Sequence, residues 1–512
     1  MISIFFDVSL LWQVDILSDS EKRDILKSFF WATFNWRRLY QIKKRECRDI
    51  LRKPSLNLLV VFRCTPLERF YSFTLLQKLF SSKESVNILV GSYKSLHQKK
   101  FSIKSSSNFN LCVLCRGTKM LCGKERCPVL VKFFHYSKVQ PLIDDVFLEG
   151  SSPPSIFVGR IGYPKVAIGP LVPPFTGDTS YIDLPELWEN VTIDDIIKFR
   201  SHLIRGKYVV NVYDVEKRDK IVDFTRELAL ARNSVDTEML FEKKPYGRIA
   251  LYDDAQPHGP SAPIRYLDIS NPKYDHHIEK AYYDTDLKAR DAVIELYKKG
   301  VFVSRIQKAF SVGAFGEKKY RRFVPTRWSI TAVDSMIGEE LMKNTKQYPL
   351  INEYRVYKYE KLDNRWIVIF LPTTWRYELI EAWYPKTTWN PYGKSISMFN
   401  SYEFYKGRKT YAEIGGCYYA ARLAVNEKLN QERRQAGVIV LREAHPGYIL
   451  PVGVWNVREA VRAALKREYT KCESLKEVLE EIRKFMDIPV ERWIKNSAIL
   501  KDLLMQRRLE EF

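Results

Sequence analysis

Two short runs settle the fold class: Trp366-Ile-Val-Ile-Phe370 and Gly437-Val-Ile-Val-Leu441. Each is continuously apolar, rich in β-branched residues and short enough to be a buried strand. Tyr208 to Val212 has the same character, and Ile156–Val158 and Val166–Ile168 are further strand candidates beside the turns Gly159-Arg-Ile-Gly-Tyr-Pro164 and Gly169-Pro-Leu-Val-Pro-Pro174. Helices alternate with these runs. Thr192 and Asp195 form a capping pair ahead of Ile193, Ile196 and Ile197, and the periodic stretch from Asp286 to Lys299 stops at Gly300. From about Asn456 onward the pattern is helical. Val457 to Glu468 is one helix, and Ser474 with Glu477 caps the stripe Leu475, Val478, Leu479, Ile482 and Phe485. After Pro489 a last amphipathic stretch carries Trp493, Ile494, Leu500, Leu503 and Leu504. The class expected is a mixed α/β (α+β) body with a helical C-terminal region.

Around this body the composition sets bounds. The chain has 512 residues, with 83 Lys and Arg against 61 Asp and Glu, for a formal net charge of +22. Such a surplus attracts anions, of which nucleic acid is the commonest macromolecular example. No run of about eighteen uncharged apolar residues occurs, so a membrane span is not expected. The opening apolar segment carries Asp7 and Asp15 without a basic start and makes a poor signal peptide. Of eight cysteines, four fall within sixteen residues, a metal pattern that fits a reducing cytoplasm. Residues 1–108 are rich in Ser, Phe, Leu and Lys and hold no motif, so they read as an N-terminal extension or as translation from upstream of the true start.

The cysteine segment is Cys112-Val-Leu-Cys115 followed by Cys122 and Cys127. Four soft thiolates at this density suit tetrahedral Zn2+ in a closed structural site, and the first pair has knuckle spacing. An iron-sulfur cluster could use the same ligands. A closed site leaves no position for substrate, so its expected work is to fold a segment too small for a core of its own.

The chain ends Gln506-Arg-Arg-Leu509-Glu-Glu-Phe512. In a single 3₁₀ turn residues three apart eclipse, so Leu509 and Phe512 would project together as an apolar plug while Gln506 bonds at the rim of a pocket. That is the chemistry of a clamp-binding peptide. The frayed end of an amphipathic helix would show the same spacing by chance.

Three central stretches offer further chemistry. Gln256-Pro-His258-Gly-Pro-Ser261, with Asp253 and Asp254 before it and Asp284 further on, could build acid-base or metal chemistry, and Asp275-His276-His277 with Glu279 and Asp286 supplies hard-metal ligands of the kind nucleases use. Lys318, Lys319, Arg321, Arg322, Arg327 and Trp328 interleave cations with aromatics, as phosphate neutralisation plus base stacking requires. Arg442-Glu-Ala-His445-Pro-Gly447, directly after a strand, is a candidate edge of another site.

Taken in order, the cysteine segment from Leu111 to Pro128, the Gln256-Pro-His-Gly-Pro-Ser-Ala262 loop, Val324-Pro-Thr-Arg-Trp-Ser-Ile-Thr-Ala-Val-Asp334 and the terminal motif resemble the archaeal Nre proteins, over about Cys112 to Phe512. The resemblance implies a DNA-repair protein with a C4-type zinc finger ligated by Cys112, Cys115, Cys122 and Cys127. It further implies a PIP motif in which Gln506, Leu509 and Phe512 contact the sliding clamp PCNA, and a nucleoid-associated place in the cytoplasm. The organisation expected is an extension over 1–108, a zinc finger over 109–135, a mixed core over 136–455, a helical region over 456–505 and a clamp-binding tail over 506–512. Two other functions stay open on the residues: a metal-dependent nuclease or other nucleic-acid hydrolase centred on His258, and an RNA-binding zinc protein.

Overall fold

The computed structural model describes residues 115, 119–121, 123–124, 126–143, 146–247, 259–270 and 272–505. All of them lie in the compact unit Ser105–Phe512. Their mixed architecture contains two six-stranded sheets and twelve α-helices.

The first sheet has strands β1 (Phe147–Ser152), β2 (Ile156–Val158), β3 (Lys165–Val172), β4 (Ile204–Asn211), β5 (Val235–Phe241) and β6 (Ser261–Ile269), in the order β1-β5-β6-β4-β3-β2. Only β4 and β6 pair in parallel. Strand β5 alternates buried and exposed residues, the signature of a strand with one covered face. Around this sheet lie α1 (Pro128–Val139), α2 (Ile193–His202), α3 (Lys220–Leu230), α4 (His276–Tyr283), α5 (Ala289–Lys298), α6 (Val303–Ser311) and the twenty-residue α7 (Thr326–Thr345). Ile156, Val158, Val166, Ile168 and Val210 meet Val222, Val293, Ile306 and Val333 in one core, and Leu148, Met239, Phe241 and Leu267 meet Val139 and Ile221 in another.

The second sheet holds β7 (Tyr354–Lys361), β8 (Asn364–Leu371), β9 (Arg376–Trp383), β10 (Ser397–Glu403), β11 (Gly437–Ala444) and β12 (Thr470–Cys472), ordered β10-β9-β11-β8-β7-β12. Its remaining helices are α8 (Gly416–Glu432), α9 (Trp455–Lys466), α10 (Leu475–Phe485), α11 (Val490–Asn496) and α12 (Ala498–Met505). Trp366, Val368 and Phe370 of β8 face α8 and α9, while Ile367, Ile369 and Leu371 face α10 to α12. Both faces are covered, which is why the two opening runs show no polar alternation. The helical stretch beyond residue 456 therefore supplies covering layers of this sheet.

Strand β11 lies between β8 and β9, antiparallel to the first and parallel to the second, although β8 and β9 are joined by only residues 372–375. That link crosses over the start of β11. A Cβ on Gly437 would come within 2.4 Å of Thr373 Oγ1 and 2.9 Å of Arg376 Cγ, so glycine gives the crossing its room. The Gln435 side chain accepts from Trp375 N at 2.9 Å and donates to the Lys346 and Tyr348 carbonyls at 3.1 Å each, holding the link in place.

Local caps follow the sequence closely. At the start of α2 the Thr192 side chain accepts from Asp195 N and the Asp195 side chain from Thr192 N, and Ser474 accepts from Glu477 N at the start of α10. Gly300, at φ +78°, follows α5.

Candidate nucleic-acid interface

The basic, aromatic stretch from Lys318 to Trp328 makes a 3₁₀ turn over Lys318–Tyr320, runs extended to Pro325 and then enters α7. Its path is fixed from beneath. Phe323, buried, donates its N–H to the Val212 carbonyl at 2.9 Å, and Val324 donates to the Ser311 carbonyl at 2.9 Å. Thr326 Oγ1 accepts from Val158 N at 2.9 Å, which ties the first turn of α7 to the end of β2.

With the backbone fixed, neighbouring cations part company. Arg321 turns inward and is buried, donating to the carbonyls of Gly316, Tyr282 and Asp284 at 2.6–2.7 Å. Its guanidinium ties the end of α4 to the Gly316 loop and is not presented to a ligand. Lys318 and Lys319 are exposed beside Glu216 and Glu317 at 3.8 and 3.6 Å, distances that weigh little on the surface. Arg322, Arg327 and Trp328 face solvent.

Trp328, 46% exposed, packs against Tyr163 with ring centroids 5.2 Å apart. Tyr163 belongs to the turn between β2 and β3, where Arg160, Ile161 and Lys165 are also exposed, Ile161 by 91%. This turn is tight: Lys165 N donates to the Gly162 carbonyl at 3.0 Å, with Gly162 at φ +86°. By its sequence this turn is a connection between two short strands. An aromatic next to proline, between Arg160 and Lys165, was the signal available. Together the turn and the α7 start offer two rings and a set of cations on one surface, a composition suited to stacking bases and neutralising phosphates.

Beneath this surface runs a buried polar network. Asp334 of α7, fully buried, receives Arg458 of α9 at 3.0 Å and Gln307 of α6 at 2.8 Å. Burial pushes the Asp334 carboxyl up to about 6, against the charges of Arg458 and Arg462. Asp183 is likewise buried and receives Lys308 at 2.6 Å together with Arg200 and Ser155.

Among the described residues, one trio of potential metal donors converges: Glu443, His445 and Asp487. Glu443, buried at the end of β11, accepts from Asp487 N at 3.2 Å, from Ile488 N at 2.8 Å and contacts His445 Nε2 at 3.2 Å. The His445 ring stacks on Tyr384, with centroids 4.4 Å apart. Burial opposes its charge, but the hydrogen bond to Glu443 and the carboxylates of Glu443, Asp363 and Asp487 together raise its pKa. With its carboxylate taken by two main-chain amides and an imidazole, the trio is a clamp joining β11 to the α10–α11 turn.

The family model described as archaeal Nre, N-terminal, matches residues 121–390, and that described as archaeal Nre, C-terminal, matches residues 403–512. The chain belongs to the archaeal Nre family. A relative named DNA repair protein NreB, from Archaeoglobus fulgidus, is 43% identical over 402 residues, 78% of this chain and 99% of its own length. Two named DNA repair protein NreA, from Archaeoglobus fulgidus and Haloferax volcanii, are 40% and 36% identical over 72% and 70% of this chain and 92% and 87% of theirs. No solved structure matches.

Cys115 is buried and Cys127 half-buried, while Cys112 and Cys122 lie outside the described residues. Cys127 immediately precedes Pro128, the first residue of α1. Arg126 forms a two-pronged bond to Asp194 of α2 at 2.7 Å, and Lys124 donates to the Ile449 carbonyl at 3.2 Å, so the segment is docked at two points. A four-thiol donor set fits Zn2+ by its chemistry. Asp253, Asp254 and His258 lie outside the described residues, as do Gln506, Leu509 and Phe512. Asp284 is half-buried after α4 and accepts from Leu287 N at 3.0 Å. Asp275 caps α4 through His277 N and Ile278 N and pairs with Arg305 at 3.1 Å. No helix among the described residues is long and apolar enough to cross a membrane.

Proposed function

We propose that this chain acts in DNA repair, contacts DNA through the Trp328–Tyr163 surface, and is recruited to the sliding clamp PCNA by a C-terminal PIP motif. The observation that carries DNA contact is the exposed pair of rings flanked by Arg160, Lys165, Arg322 and Arg327. The names of the Nre relatives support the repair setting. In this reading Gln506, Leu509 and Phe512 dock on the clamp, and Cys112, Cys115, Cys122 and Cys127 hold a structural Zn2+ that folds the segment docked on α2. The four soft donors, the first pair at knuckle spacing, support that assignment.

One experiment separates the parts. Titration calorimetry of the full chain against its host's clamp, with Phe512→Ala alongside, is expected to show binding that the variant loses. Single-stranded DNA binding across a salt series is expected to weaken about fivefold or more in Trp328→Ala, because stacking contributes ~1–3 kcal/mol per base. Clamp binding unchanged by Phe512→Ala would refute recruitment through the tail, and DNA affinity unchanged by Trp328→Ala would refute the surface assigned here.

A further inference from the structure

A cavity of about 450 Å³, whose lining includes neither Trp328 nor Tyr163, opens between α4, α6 and the segments that follow β1 and precede β5. Five separate segments build it, one of them the stretch with Ser180 and Leu184. Pro153 and Pro154 come from the β1–β2 link, Arg232 and Asn233 from the α3–β5 link, Asp275 to His277 from the start of α4, and Lys299 to Phe302 from the α5–α6 turn, with Arg305 and Lys308 along α6.

The charges in this wall are unequal. Four cations, Arg232, Lys299, Arg305 and Lys308, face one carboxylate, Asp275. Asp275 is matched by Arg305, and Lys308 by Asp183 behind the wall. Arg232 and Lys299 are exposed and form no ion pair among the described residues, which leaves the mouth with uncompensated positive charge and two imidazoles. The start of α6 adds nothing for a ligand, since Glu186 already accepts from Ser304 N at 2.8 Å. Any attraction must come from side chains. Burial lowers the pKa of Arg305, Asp275 opposes that, and the charge of Arg232 adds to the lowering, as expected where cations crowd together.

Size and lining narrow the ligand. The volume lies in the range of small-molecule sites and is several times that of a phosphate ion. Pro153, Pro154, Leu184, Val301 and Phe302 give it apolar surface beside the cations, a place for a flat, apolar-faced group joined to an anion. We propose that this cavity is a binding site for a nucleoside phosphate, held at its phosphate by Arg232 and Lys299 and at its base by the Pro153–Pro154 and Phe302 walls. Its source is either a free nucleotide or the 5′-phosphorylated end of a DNA strand. The nine residues of α6 lead from this cavity to Ser311, beside the start of α7, a separation of about 13 Å along the helix.

The test is calorimetric titration of the full chain with deoxyadenosine monophosphate, deoxyadenosine and inorganic phosphate in turn. The variants are Arg232→Glu/Lys299→Glu, whose side chains are exposed, and Trp328→Ala. The monophosphate is expected to bind at least tenfold more tightly than either fragment, to lose at least tenfold in the double variant, and to be unaffected by Trp328→Ala. Competition with 5′-phosphorylated and 5′-hydroxyl oligonucleotides then assigns the source: displacement only by the phosphorylated strand gives a DNA end, and displacement by neither gives a free nucleotide. Absence of monophosphate binding at millimolar concentration, equal binding of phosphate alone, or binding untouched by the double variant would each overturn the assignment. Loss of binding in Trp328→Ala would place the nucleotide on the other surface and overturn it too.

Discussion

Asp334 shows how a residue in a recognisable stretch can be structural. It closes the Val324–Asp334 run that carries much of the family resemblance, yet it is fully buried and holds Arg458, itself without exposed side-chain surface. Asp334→Ala should destabilise the fold by ~3–5 kcal/mol, the cost of leaving a buried partner charge, towards the low end because Glu186 and Glu459 remain beside Arg458. Chemical denaturation of the variant measures it, and a change within about 0.5 kcal/mol, typical of surface substitutions, would refute the role. The same limit on legibility appears one residue apart in the basic run. Arg321 and Arg322 are indistinguishable by type, and only the carbonyls of Gly316, Tyr282 and Asp284, brought together by tertiary structure, turn one inward and leave the other in solvent.

Elements whose limits are set locally were readable. The caps at Thr192 and Ser474 need only three residues of context, and the apolar runs of β8 and β11 announce double burial by their lack of alternation. The clamp between β11 and the α10–α11 turn was not readable beyond its first half, because Asp487 and Ile488 stand more than forty residues from Glu443. This clamp should respond to pH. His445 has a raised pKa in the folded chain, so its stabilisation is fully present below the ordinary histidine value of about 6.5 and is lost as pH rises through the raised value. Buried His135, with a lowered pKa, acts in the opposite sense, losing its contribution as pH falls. Comparing wild type with His445→Gln isolates the first effect: the stability difference should shrink from pH 6 to pH 9, and a difference constant over that range would rule the clamp out as a proton-dependent tie.

At the scale of the molecule, charge composition pointed to an anionic partner without locating it. The surplus of +22 belongs to the whole sequence, and the places where cations go unmatched depend on which carboxylates tertiary structure sets beside them. Glu427 and Glu459 are both taken by Arg462, and Asp183 by Arg200 and Lys308, whereas Arg232 and Lys299 keep no such partner among the described residues. The cavity they border draws on five segments spread between Pro153 and Lys308, so no window of sequence contains it.

The insertion of β11 between β8 and β9 has a consequence for synthesis. When the ribosome has delivered β9, the central seat of the second sheet is still vacant, and β8 and β9 each offer an unsatisfied apolar edge until residues 437–444 emerge some fifty-four residues later. The nascent chain must therefore hold two sticky strands apart, a period in which pairing with a neighbouring chain competes with completion. Chains stopped at residue 436 should be recovered in the insoluble fraction, while chains stopped after α12 should be soluble; a soluble, monomeric 436-residue product would show that the sheet does not depend on its last-arriving centre.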